Sequence, residues 1–166
     1  MAWNEAWPHL TITNLTKSLT SLEKVVASND ASRSDEVSAA LARFLVVRTC
    51  GYLEQVVEEC CKAYLKSKSC PRSSSFGSSW FGVGRNPSSV KLIDLTKRFD
   101  ATWADQLETM LKADDEKLQR ELAFLVDRRN VISHGLNEGI GTRKALSLVA
   151  PAKEIANWFI KTFDPR

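Results

Sequence analysis

Arg129, Asn130 and His134 are the residues of this 166-residue chain whose types and spacing most directly suggest chemistry. An imidazole titrates near neutral pH and can take or give a proton. A guanidinium is a fixed cation with several donors for phosphate oxygens, and a primary amide can orient either group. Together they suit acid–base work beside an anion that gains charge in the transition state. A second account is purely structural: Arg129 caps a carboxylate and His134 caps the end of its helix.

The element that positions them is a helix. Leu118, Leu122, Leu125, Arg129 and Ile132 are spaced four, three, four and three, which makes one continuous face. Arg129 interrupts that face, while Asn130 and His134, four apart, stack on an adjacent one. Gly135 suits the left-handed residue that terminates a helix, which places His134 in the last turn.

Arg129, Asn130 and His134 resemble the R-(N/H/D)-x-x-x-H form of the motif of HEPN domains, small all-helical ribonuclease modules of toxin and phage-defence systems. The resemblance covers most of the chain. Gly51-Tyr52-Leu53-Glu54, then Asn86-Pro87-Ser88-Ser89-Val90 leading into Leu92, Leu95 and Phe99, then Arg129-Asn130 to His134-Gly135 follow in the order of the RiboL-PSP-HEPN-like branch. It implies a homodimer that brings two Arg129/His134 sets into one cleft and, for Glu54, a role in orienting Arg129. A plain surface salt bridge is the other reading of Glu54.

The 2′-OH of RNA is a nucleophile built into the substrate. Cleavage then needs a base for it, an acid for the leaving 5′-oxygen and positive charge for the phosphate, and in principle no metal. With only two histidines in the chain, and His9 beside Pro8 in an irregular N-terminal arm, one subunit looks half-equipped. Other chemistries have less support. His134 lacks a second histidine at helical spacing and any H-E-x-x-H or cysteine–histidine cluster. No G-x-S-x-G elbow activates a serine. Gly82-Val83-Gly84 follows no strand and precedes no Gly-Lys-Ser/Thr, so turn-forming glycine explains it better than a phosphate loop.

The length argues for one domain, able to bury about 70% of its unfolded surface. Cys50, Cys60, Cys61 and Cys70 show no C-x-x-C pairing and read as reduced thiols of a cytoplasmic protein. The N-terminus lacks a basic start and an apolar signal core, and no run of about 18 apolar residues exists, so no membrane partner is expected.

The periodicity predicts an all-α up-and-down bundle of about five to six helices with one long loop. The first helix covers Leu10 to about Ala27, with Ile12, Leu15, Leu19, Leu22, Val25 and Val26 inward. The second runs from a Ser34 cap to about Lys66 on a stripe of Val37, Leu41, Phe44, Leu45, Tyr52 and Val56. Arg48 falls in that stripe and needs a buried ion pair or, alternatively, a phosphate near the cleft. Further helices are expected at about Ser88–Phe99, Ala101–Leu111 and Asp114–His134, and at Leu148–Phe163 with Ser147 as cap.

Between them, Ser69 to Ser89 is non-periodic, rich in serine and glycine, and reads as a functional or mobile loop. Charge concentrates around it. From Lys62 to Arg98 there are eight basic residues against Asp94, although the whole chain carries only +3. Lys68, Arg72 and Arg85 are candidates to neutralise RNA phosphates, with Trp80 stacking on an unpaired base. The alternative is a solvated basic loop whose aromatics tuck onto the core.

These readings converge on a homodimeric, metal-independent endoribonuclease without cofactor. Arg129, Asn130 and His134 are its catalytic candidates, Arg48 and Glu54 possible supports, and Lys68, Arg72, Trp80 and Arg85 its RNA contacts. An unregulated ribonuclease poisons its host, so an antitoxin or other regulatory protein is expected. The alternative is a non-catalytic HEPN-like module that binds RNA, a nucleotide or a protein.

Overall fold

The computed structural model describes residues 3–28, 32–81, 86–135 and 139–166. They form an all-α up-and-down bundle built on one long helix. That spine, α2 (Asp35–Lys68), starts where Ser34 Oγ accepts the Val37 N–H at 3.3 Å, with Asp35 and Glu36 in its first turn and Lys66 and Lys68 in its last, complementing the helix dipole at both ends. Its 34 residues extend about 50 Å. Leu45, Thr49, Leu53, Val56 and Cys60, at spacings of three and four, are wholly buried along its inner side.

The other side of α2 differs from expectation. Val37 and Phe44 are 49% and 51% exposed, Leu41 is only partly covered, and Arg48, which continues their row, is exposed too. Apolar residues occur on more than one side of this helix, so spacing alone could not tell the covered row from the open one. Arg48 therefore needs no buried ion pair.

Against α2 pack α1 (Leu10–Ala27), α5 (Ala101–Ser133), α6 (Thr142–Ser147) and α7 (Val149–Thr162), while α4 (Ser89–Lys97) lies on α5. In α1, Ile12, Leu19 and Val26 are buried at intervals of seven, whereas Val25 is 48% exposed, a correction to its expected inward position. In α7, Val149, Ala152, Ile155, Ala156 and Phe159 form one buried stripe. Phe163, just beyond it, is enclosed by the rings of Tyr64, Phe99, Trp103 and Phe159. The chain ends are tied to this core. Trp7 Nε1 donates to the Ile160 carbonyl at 2.9 Å, and Ser67 Oγ to the Pro165 carbonyl at 2.5 Å.

The expected break between two helices falls inside α5. Ala113 is extended, and Asp114, Asp115 and Glu116 have φ of 50°, 54° and 60°. This left-handed turn lies at the solvent-exposed end and is spanned by a hydrogen bond from Arg120 to the Asp115 carbonyl. Beyond it, Leu122 and Leu125 are buried and Leu118 partly so, as their spacing predicts.

Two short helices were not anticipated. Helix α3 (Pro71–Ser78) occupies the first part of the supposed loop, with Pro71 pre-setting φ at the first turn. It buries no residue fully, so it leaves no apolar period in the sequence. Helix α6 ends at Ser147, whose Oγ donates back to the Lys144 carbonyl at 2.8 Å. Leu148, not Ser147, is therefore the residue at the start of α7.

Candidate active site

Buried Leu122, Leu125 and Val126 fix the last turns of α5 against the core, and Arg129, one turn beyond Leu125, emerges toward α2. Arg129 Nη2 donates to Glu54 Oε2 at 3.4 Å, and Nη1 donates to Asn130 Oδ1 at 3.2 Å. Only 26% of the Arg129 side chain and 16% of that of Glu54 are exposed. Asn130 Oδ1 accepts a second bond, from Asn86 Nδ2 at 3.4 Å. Asn86, from the segment just before α4, thus joins α2 and α5 in one polar network.

Beneath it lies Cys50, fully buried. Burial pushes its thiol up to about 11, although the adjacent Arg129 guanidinium pulls the other way. A thiol so disposed is a neutral lining group and not a nucleophile. Burial likewise raises Cys60 and Cys61, whereas Cys70 is exposed and lowered by its hydrogen bonds with Ser73.

His134 follows the last helical residue. Its backbone N–H still donates to the Asn130 carbonyl at 3.1 Å, and Gly135, with φ 73°, turns the chain away. The imidazole is exposed and has no side-chain partner among the described residues. Five residues separate it from Arg129, which on a helix amounts to about 140° of rotation. Helical register therefore sets the two groups apart within the chain, with Asn130 between them.

The remaining candidates are dispersed. Arg48, six residues before Glu54, projects about 120° away from it around α2. Lys68 Nζ donates to the Arg166 carbonyl at 3.1 Å, and Arg72 is exposed on α3. Arg85 lies outside the described residues. Trp80, with the Arg98 guanidinium 5.8 Å from its ring, borders a cavity of about 410 Å³ whose wall includes Glu54 and Asn86. Lys91, Asp94 and Arg98 line the same cavity. Sequence reasoning did not place Asn86 or Cys50 beside Arg129, nor Asp94 and Arg98 at a common cavity. For Asn86 the signal was present in the Asn-Pro step that opens α4, but not its partner 44 residues away.

His9 is elsewhere engaged, with Nε2 3.3 Å from Glu59 Oε2 and its ring against Trp3 and Trp7. Among the described residues no group of three or more His, Cys, Asp or Glu is placed to hold a metal ion. None of their helices is long and apolar enough to cross a membrane.

No curated protein and no solved structure matches the chain. A family model described as RiboL-PSP-HEPN matches residues 11–163, almost the whole of it, so the chain belongs to this family of HEPN domains.

Proposed function

We propose that the protein is a metal-independent endoribonuclease that works as a homodimer, in a toxin or phage-defence setting. The observation that carries this reading is the Arg129 network: a guanidinium held by Glu54 and Asn130 at the end of α5, with an exposed His134 just beyond. In the reaction the 2′-oxygen attacks phosphorus, the P–O5′ bond breaks, and the products are a 2′,3′-cyclic phosphate and a 5′-OH. A base takes the 2′-OH proton, an acid gives one to the 5′-oxygen, and Arg129 stabilises the charge that grows on the phosphate. One His134 serves one of these proton transfers. A second copy across a twofold axis supplies the other, since His9 is committed to Glu59 and to two tryptophans. A regulatory protein or antitoxin restrains such an enzyme in its host.

A second reading has an observation of its own. Arg129 paired with Glu54 is also what a structural arginine does, and a non-catalytic HEPN-like module that binds RNA, a nucleotide or a protein would use it so. RNA digestion by purified protein in excess chelator separates the two. The nuclease reading expects cleavage by wild type and none by folded Arg129→Ala or His134→Ala. The module reading expects all three to be equally inert.

A further inference from the structure

We infer that the cavity walled by Glu54 and Asn86 is a guanine pocket, which takes the base of a guanine nucleotide in the RNA strand and so directs where that strand is cut. The inference rests on the ribonuclease reading above and assigns that site its base preference. At about 410 Å³ the cavity falls within the roughly 300–1,000 Å³ typical of small-molecule sites and holds a base with its ribose. It shares Glu54 and Asn86 with the Arg129 network, so a nucleotide seated in it has its phosphate close to the guanidinium.

The lining is of the kind that recognises a base. Trp80 and Phe81 offer aromatic faces, with Trp80 49% exposed. Base stacking on such rings is favourable whichever base is present. Lys91 and Arg98 bring positive charge to the same wall for the strand's phosphates. Selectivity comes from the carboxylates. Glu54 is paired with Arg129, and Glu58 with Lys62 at 2.5 Å. Asp94, one turn before Arg98 on α4, is exposed and has no ion-pair partner among the described residues.

An ionised carboxylate only accepts hydrogen bonds, through two oxygens side by side. Guanine alone among the RNA bases presents two adjacent donors, N1–H and the N2 amine, which match that pair. Adenine and cytosine set a ring-nitrogen acceptor beside their amine, and uracil sets its single N–H between two carbonyls. Each of these places a lone pair against the Asp94 carboxylate.

The test is calorimetric titration of the whole protein with the 3′-monophosphates of guanosine, adenosine, cytidine and uridine, which needs no cleavage. The guanosine form should bind about tenfold or more tighter than the others. Asp94→Asn should abolish that preference, and Trp80→Ala should weaken all four by about fivefold or more. Both side chains are at the surface, and circular dichroism checks that the variants fold. Equal binding of the four nucleotides, no binding of any, or a preference that survives Asp94→Asn overturns the proposal. Guanosine preference in a protein that leaves RNA intact instead supports the pocket and removes the nuclease reading.

Discussion

His9 is enclosed, its ring set against Trp3 and Trp7 and its Nε2 3.3 Å from Glu59, while His134 stands exposed past the end of α5 with no side-chain partner among the described residues. The two rings have the same intrinsic chemistry. What separates them is where their hydrogen-bonding capacity is met. For His9 it is met within the chain, in contacts that tie the N-terminal arm to α2. For His134 no side-chain partner is found among the described residues, and Asn130 of the Arg129 network lies one helical turn before it. An engaged and an open group of the same residue type are told apart here by this difference in completeness.

Removing each ring tests the contrast most severely. His134→Ala and Arg129→Ala should lose on the order of 10²–10⁴-fold in cleavage rate, measured on a labelled single-stranded RNA in excess chelator. His9→Ala should cleave at the wild-type rate. A folded His9→Ala as inactive as His134→Ala would erase the distinction, and a fully active monomer in sedimentation would remove the second subunit from it.

Thiol reactivity probes engaged and open groups by another route. With its thiol near 11, Cys50 is about 0.1% thiolate at pH 8, and burial shields it further. Iodoacetamide should therefore modify Cys70 and leave Cys50, Cys60 and Cys61 intact in the native protein, as mass spectrometry of the folded and the denatured chain would reveal. Early labelling of Cys50 in a protein that remains folded would mean that the floor of the Arg129 network is open.

Glu54→Gln keeps the shape of the side chain and removes the charge that fixes Arg129. If orientation is its role, kcat should fall by up to about 10²-fold with little loss of stability. A change in melting temperature with unaltered kcat would return Glu54 to the status of a structural ion pair. The smallest effect belongs to the enclosed ring. His9→Ala should lower stability by about 1 kcal/mol through lost aromatic packing, a shift of about 2–4 °C in Tm. An unchanged Tm would show that its enclosure contributes nothing to the fold.

Much of this was legible in the chain, for reasons that can be named. The α5 stripe was readable because Leu118, Leu122 and Leu125 fall on one helical row that the core covers. The outward row of α2 was not, since Val37 and Phe44 carry the same apolar signal as the buried Leu45 and Leu53. Helix α3 left no period because it covers no core. At the site, Arg129, Asn130 and His134 are neighbours in sequence and therefore visible together. Asn86 and Glu54 are brought to Asn130 and Arg129 by the packing of α2, α4 and α5; a contact across 75 residues has no local signature, and only the family resemblance linked Glu54 to Arg129. The basic segment shows a different limit of the sequence. Its charges read as one patch, yet Lys68 turns to the C-terminal carbonyl of Arg166 while Trp80 faces the cavity beside Glu54.

The left-handed turn at Asp114–Glu116 makes α5 two bodies where its residue range suggests one rod. Three successive non-glycine residues with positive φ each forgo roughly 1–2 kcal/mol of backbone preference. The helical geometry is interrupted there as well, so the α5 backbone offers no continuous rod from Trp103 to His134. In amide exchange with deuterium, α5 should resolve into two protected blocks separated by a fast-exchanging gap. Glycine substituted at 114–116 should leave the C-terminal block, and with it the setting of Arg129, undisturbed.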